Sequence, residues 1–391
     1  MQNVISTDLV QKLQNRFRER QPQIVSLIQA LVETESPSGD EAGSRAVVDL
    51  LARAAEGARS VNSIERIAVP NVGQHLIIRA FQEKSAAGSL LLVGHTDTVH
   101  PRGSLADRPW RFEGNRIYGP GIFDMKANCA LAVGLLHACD DFDITPSCGL
   151  TLALMCDEEV GSASGWPLLE RIAQKERVQN ALILEPPAPG GRVKTGRKGT
   201  GIFQLSIAGR AAHAGLEPEQ GASAILELAK QAVRLHELNG SDNGIHVNVG
   251  VVHGGTRSNV VAAAASAEID VRFSTAAEAK TVENALLNIS PFDSRVQVKV
   301  TGGINRPPLE RTEQVVKLYE LARRIARLLD YDLGETQVGG ASDGNFLAAM
   351  GIPVLDGLGI DGDGAHATHE HIIADDIPLR GALLAGLIAS L

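Results

Sequence analysis

Three apolar runs of strand length each lead into side chains that bind metals or move protons. LLLVG (90–94) is followed by His95, Thr96 and Asp97; LTLALMC (150–156) by Asp157, Glu158 and Glu159; ALIL (181–184) by Glu185. A further carboxylate, Asp124, stands in the glycine-bearing loop GPGIFDMK (119–126). In an open α/β sheet, ligands gather just beyond the carboxyl ends of the strands. Residues far apart in sequence are therefore expected on one rim. Carboxylates crowded in this way repel one another unless cations neutralise them. The pattern points to a two-metal hydrolytic site.

The rest of the chain fits an α/β frame of two domains, for which 391 residues suffice. Residues 7–34 read as helical with a break at Pro22, and Ser38 or Asp40 caps a second helix to about residue 55. Strands are predicted over 74–81, 89–94, 149–156 and 181–184, with a helix over 127–138. The texture changes near residue 194. Strand 200–209, helix 220–238, strands 244–252 and 259–273, helix 276–288 and strand 295–300 give β-α-β-β-α-β, the split βαβ order of ferredoxin-like domains. After Arg306-Pro307-Pro308 the α/β texture resumes: helix 313–330, strand 335–338, helix 344–350, strand 352–355 and a last helix over 378–390. The expectation is a discontinuous catalytic domain, 1–193 and 309–391, interrupted by an inserted domain, 194–308.

Composition removes several classes of function. A net charge of −9 argues against a general nucleic-acid binder. Two tryptophans and three tyrosines are too few for an aromatic stacking platform. The four cysteines show no C-x-x-C spacing and read as buried, reduced thiols. No run reads as a membrane span, and the N-terminus lacks the apolar core of a signal peptide. A cytoplasmic protein is expected, although a leader already removed would leave no trace.

The candidate site residues each carry a functional and a bland reading. His95 can bind a metal while Asp97 holds its other ring nitrogen; alone, His-x-Asp is a common loop pattern. Asp124 can bridge two metals or cap a helix over 125–138. Of the adjacent Glu158 and Glu159, opposite-pointing in extended backbone, one can bind metal while the other serves as general base; solvated acidic loops look the same. Glu185 is a fourth carboxylate at a strand end. His366, His369 and His371 close the set. Imidazole and carboxylate ligands without cysteine suit zinc in an open catalytic site.

The stretches LVGHTDTV, GPGIFDMK, CDEEVGS, LILEP, GRAAHAG, RSNVV and GAHATHEHI, in this order from about residue 20 onward, resemble the dinuclear-zinc carboxypeptidase and aminoacylase family. That family includes glutamate carboxypeptidases, acetylornithine deacetylase and succinyl-diaminopimelate desuccinylase, and the likeness is greatest to the glutamate carboxypeptidase branch. The resemblance implies helices on both faces of a mixed sheet, with the inserted domain acting as a lid and homodimerisation surface. It implies two Zn2+ per subunit, with Co2+ or Mn2+ as substitutes: His95 and Glu185 on one, His366 and Glu159 on the other, Asp124 bridging. Asp97 would orient His95, Glu158 would be the base, and the peptide after Asp124 would be cis. His366 is preferred to His369 because the family's ligand histidine lies four residues before a glutamate, here Glu370. His213 would stabilise the oxyanion, and Asn259, Arg306 and Gly340 would line the pocket for the substrate's carboxylate. Ala127-Asn128 departs from the glycines that often follow DMK.

The activity implied is hydrolysis of a short peptide or N-acyl amino acid with a free carboxylate, by a carboxypeptidase or, alternatively, an amino-acid N-deacylase. Three rival readings stand beside it. Gly340-Ala341-Ser342-Asp343-Gly344 matches G-x-S-x-G, with Asp361 or Asp363 and His366 following in serine-hydrolase order. A metal-dependent binding protein without catalysis would keep the same fold. A dinucleotide site fails because Gly119-x-Gly121 has no third glycine; position 124 is Asp.

Overall fold

The computed structural model describes residues 5–240 and 244–391. The first four residues of the predicted catalytic range and residues 241–243 lie outside the described residues. The chain divides into two compact units: Met1–Thr195, Arg311–Gln337 and Ser342–Leu391 form one, and Gly196–Glu310 with Val338–Ala341 the other. The segment 338–341 joins the second unit because Lys198 N–H donates to the Val338 carbonyl (3.0 Å) and Arg197 Nη1 to those of Gly340 and Ala341 (3.2 and 3.3 Å).

The first unit is built on a mixed six-stranded sheet in the order Val61–Val69, Gly73–Ala80, Gly149–Met155, Ser89–His95, Val178–Ile183, Val354–Leu355. Every residue of Ser89–His95 and Gly149–Met155 is buried, so both faces of these central strands are covered. Four strands run parallel, with His95 opposite Met155, Val93 opposite Ile183 and Val354 opposite Ala181. This register sets the residues after each apolar run side by side at one end of the sheet.

Two readings of the sequence are corrected here. Pro22 does not break the first helix, which runs unbroken over Thr7–Glu33. A proline inside a helix costs about 3 kcal/mol. Burial of Phe17, Ile24, Ile28 and Leu31 on one face offsets it, at roughly 1.5–3 kcal/mol for each large side chain. Secondly, the stretch Ile122–Asp141 is long and apolar enough to cross a membrane, but most of it is buried inside this unit, where Ala127–Asp141 forms a core helix. Asp40, not Ser38, caps the helix Glu41–Ala55, its carboxylate accepting from Gly43 N–H (3.0 Å). Asn128, where the family often has glycine, is accommodated by Gly359, whose missing side chain leaves the space Asn128 fills. Its Oδ1 accepts from Ile360 N–H (2.8 Å).

A small antiparallel sheet, Gly362–Asp363, His371–Ile373, Arg116–Tyr118 and Arg111–Glu113, was not legible beforehand. Its pairing of His371 with Tyr118 brings the His366 segment beside the loop that carries Asp124.

The second unit has the expected order: Gly199–Ala208, helix Ala224–His236, His246–Gly254, Ala264–Phe273, helix Ala276–Leu287 and Gln297–Arg306. Its four strands are antiparallel, with Ala264–Phe273 and Gln297–Arg306 flanking Gly199–Ala208 and His246–Gly254 on an edge. Alternation along Gly199–Ala208 buries Phe203, Leu205 and Ile207 in a separate core with Val271, Phe273 and Val282.

Candidate metal centre

His95 is the last residue of its strand and is fully enclosed. Its Nε2 lies 3.1 Å from Asp124 Oδ1 and 3.5 Å from Glu185 Oε1. On the other side of Asp124, His366 Nε2 lies 3.4 Å from Oδ2 and 3.1 Å from Glu159 Oε2. Each group, His95–Asp124–Glu185 and Asp124–Glu159–His366, holds its ligand atoms within 4.8 Å of one another. Asp124 thus turns one oxygen to each. It caps no helix: the helix begins at Ala127, and the Asp124–Met125 peptide is cis.

The carboxylate of Asp97 does more than contact the histidine. His95 Nδ1 is 3.0 Å from the Asp97 carbonyl oxygen and 3.5 Å from its Oδ1. The carboxylate itself accepts Glu158 N–H and Glu159 N–H (both 3.2 Å) and the Ser38 hydroxyl (2.7 Å). One buried acid therefore fixes both the imidazole's surroundings and the backbone of the Glu158–Glu159 pair. That pair lies in a 3-10 turn, Glu158–Val160, rather than in extended backbone, so the predicted reason for their dividing roles does not hold.

Charge balance reflects the crowding. Burial alone would raise the Asp124 carboxyl, but His366 and His95 outweigh it and hold it well below the usual carboxylate range. Burial likewise works against the charged form of His95, yet Asp124 and Asp97 lift it well above an ordinary imidazole. The Asp124 contact carries His366 up to about 9. Glu159 goes the other way: burial first, then repulsion from Asp124 and Glu158, push it up to about 7 against the pull of His95 and His366.

The residues present fit divalent cations. Glu159 Oε1 is buried with no hydrogen-bond partner, a costly state for a carboxylate oxygen unless a cation meets it. Imidazole and carboxylate in two groups sharing one carboxylate make a donor set suited to zinc or a similar ion. A third cluster, His75, Cys156 and Asp157, does not compare. Its ring nitrogens are engaged by Cys156 N–H (3.1 Å) and Ser164 Oγ (3.0 Å), and Asp157 accepts from Ser164 and Gly165.

The remaining predicted residues belong to the second unit. His213 is exposed and bridges to Val260, and Ala214 N–H donates to the Asn259 carbonyl (3.0 Å), so these two segments are neighbours. His213 Nδ1 accepts from Gly215 N–H (3.1 Å), which puts the proton of the neutral ring on Nε2. Arg306 is buried at the end of its strand, and Gly340 is exposed.

The serine reading is overturned. Ser342 is fully buried and its hydroxyl donates to Asp356 Oδ2 (2.7 Å), while His366 faces Asp124 and Glu159. Glu370, in the sequence only a spacing marker for His366, and His100 add to the surroundings of Asp124. Both are buried, with His100 Nε2 2.5 Å from Glu370 Oε2.

Fold and site together define a hydrolase acting on peptide or amide bonds. The profile of "Peptidase family M20/M25/M40" matches residues 91–390, and the chain belongs to that family, whose members are metal-dependent. The chain is 30% identical to carboxypeptidase G2 of Pseudomonas sp. (strain RS-16), over 99% of this chain and 95% of that one. It is 28% identical to succinyl-diaminopimelate desuccinylase of Delftia acidovorans, over 74% and 78%. Among solved structures, aminopeptidase PepT of Bacillus cereus superposes with a TM-score of 0.80 at 22% identity, covering 95% of this chain and 98% of that one. A dinuclear metal binding peptidase, YXEP of Bacillus subtilis, gives 0.69 at 14% identity, covering 95% and 98%. The family resemblance and the α/β fold class read from the sequence are thereby confirmed.

Proposed function

We propose that this protein is a two-metal carboxypeptidase-like hydrolase of short peptides or N-acyl amino acids that carry a free carboxylate. The observation that carries the reading is Asp124, one oxygen toward His95 and the other toward His366. His95, Asp124 and Glu185 would hold one ion, and Asp124, Glu159 and His366 the other. Bound zinc, or cobalt or manganese in its place, supplies a lowered water pKa and polarisation of the scissile carbonyl. Glu158 takes the proton of the attacking water on its carboxylate and delivers it to the departing nitrogen. Asp97 supports this role by holding the Glu158 amide. For His213, the Nε2 proton supplies a donor suited to a developing oxyanion. Asn259, Arg306 and Gly340 are assigned to the substrate's carboxylate on motif likeness, with arginine's fork as the chemical reason.

The likeness to carboxypeptidase G2 spans nearly the whole chain and favours a carboxypeptidase. The likeness to a desuccinylase keeps an N-deacylase as the second reading. The test is a panel of C-terminal glutamate dipeptides and N-acetyl amino acids, assayed before chelation, after it and after zinc is returned. Activity should vanish and return, and the best substrate separates the two readings. Glu158→Gln should keep its metal and lose turnover by about 10²–10⁴-fold; a mutant within tenfold of the parent would sink the role.

A homodimer formed through the second unit is part of this reading, as is a cytoplasmic setting. The dimer is supported by exposed Leu226, Val233, Val252 and Phe292 and by the open edge strand His246–Gly254. Sedimentation should give twice the 41.4 kDa chain mass; a single-chain mass at assay concentration would refute it.

A further inference from the structure

Glu370 is almost wholly buried and precedes the short strand His371–Ile373. Because His371 pairs with Tyr118, Glu370 falls beside Gly119, at the start of the loop that carries Asp124. Its carboxylate is ringed by donors from that loop. Oε2 accepts Gly121 N–H (2.8 Å), and Oε1 accepts Phe123 N–H and Asp124 N–H (both 2.9 Å). Gly121 adopts φ +70°, and a side chain there would strike Thr98, so the turn that aims these amides inward needs glycine. On its far side Oε2 meets His100 Nε2, and Arg108 Nη1 lies 3.2 Å from His100 Nδ1. With Arg108 donating to Nδ1, the proton of the neutral ring sits on Nε2 and points at Glu370.

We propose that Glu370 is a positioning residue: by accepting three amides of the 121–124 turn, it presets the Asp124 carboxylate between the two ligand groups before any cation arrives. The amides of Gly121 and Phe123 are buried and that of Asp124 partly so; all three would otherwise be unpaired, and a carboxylate is the one side chain able to accept all of them and a histidine as well. These amides are therefore unavailable to a phosphate or to substrate. Since Asp124 faces both groups, the consequence is specific: losing Glu370 should weaken both ions together. The inference rests on the two-metal reading above.

The experiment is a Co2+ titration of the metal-free protein, followed by visible absorption, on the parent, Glu370→Gln and Glu227→Gln. Glu227 is a matched control, a buried carboxylate that accepts two backbone amides in the second unit. The parent should bind two ions; if it binds none, the two-metal reading itself fails. Glu370→Gln should bind both about 10–100-fold more weakly, the range for groups that support ligands, with Glu227→Gln unchanged. Cobalt affinities within twofold of the parent in Glu370→Gln would overturn the positioning role and leave the two-metal reading standing. Hydrogen exchange on the metal-free parent gives a readout independent of whether the variant folds. Protection of residues 121–124 before metal is added supports the proposal, and protection gained only with metal overturns it.

Discussion

Glu159 in the first unit and Glu227 in the second are both acids withdrawn from solvent, and their surroundings treat them in opposite ways. Glu227 accepts Phe292 N–H and Gln231 Nε2 on one oxygen and Asp293 N–H on the other. Glu159 has an imidazole at one oxygen and nothing at the other, and its neighbours include two more carboxylates. A buried acid whose lone pairs meet amides holds a loop in place. A buried acid left short among like charges is incomplete without a cation. The contrast separates scaffold from candidate site without reference to any relative, and Glu370 falls on the scaffold side although it stands next to the proposed ligands.

The contrast can be broken most sharply at Asp124. Asp124→Asn keeps the shape but removes the charge shared by both groups. Both ions should be lost or greatly weakened and activity should fall by about 10²–10⁴-fold, as expected for several kcal/mol of lost stabilisation. Metal analysis after dialysis and steady-state kinetics check this, and retention of two tightly held ions would place Asp124 outside the site. A smaller effect of another kind is expected at Glu227. Glu227→Ala leaves buried amides unpaired and should cost about 1–3 kcal/mol for each, read as a lower denaturation midpoint. Metal content should stay at the parent's level. If metal is lost as well, the division between scaffold and site acids is wrong.

Much of this was legible because strands announce themselves. The runs before His95, Asp157 and Glu185 are long, apolar and bounded, and parallel pairing at equal register brings their ends together as the pattern requires. The order of the second unit followed from its alternation and helix periodicity. What escaped notice has short range or depends on distant pairing. The Glu158–Val160 turn spans three residues, too few for periodicity to show. The strands that bring His366 to Asp124 are two or three residues long. Glu370 sits among histidines and small residues and serves in the sequence only to mark the spacing from His366; the pairing of His371 with Tyr118 reveals what it touches. Pro22 misled because packing along a whole helix face can outweigh one local penalty.

The pairing of Asp124 with His366 also bears on how the protein is made. Four of the five side chains around Asp124's two oxygens, counting Asp124 itself, have been synthesised once the ribosome passes Glu185; His366 and Glu370 follow about 180 residues later, after the whole of Gly196–Glu310. At roughly 5–20 residues per second the delay is about ten to forty seconds. During that interval the acids at the sheet end lack both the second histidine and the carboxylate that holds the Asp124 turn. Emergence of the His366–Glu370 segment from the ribosome, rather than pairing of the strands that lead to His95, Glu159 and Glu185, is the step that completes the proposed donor set.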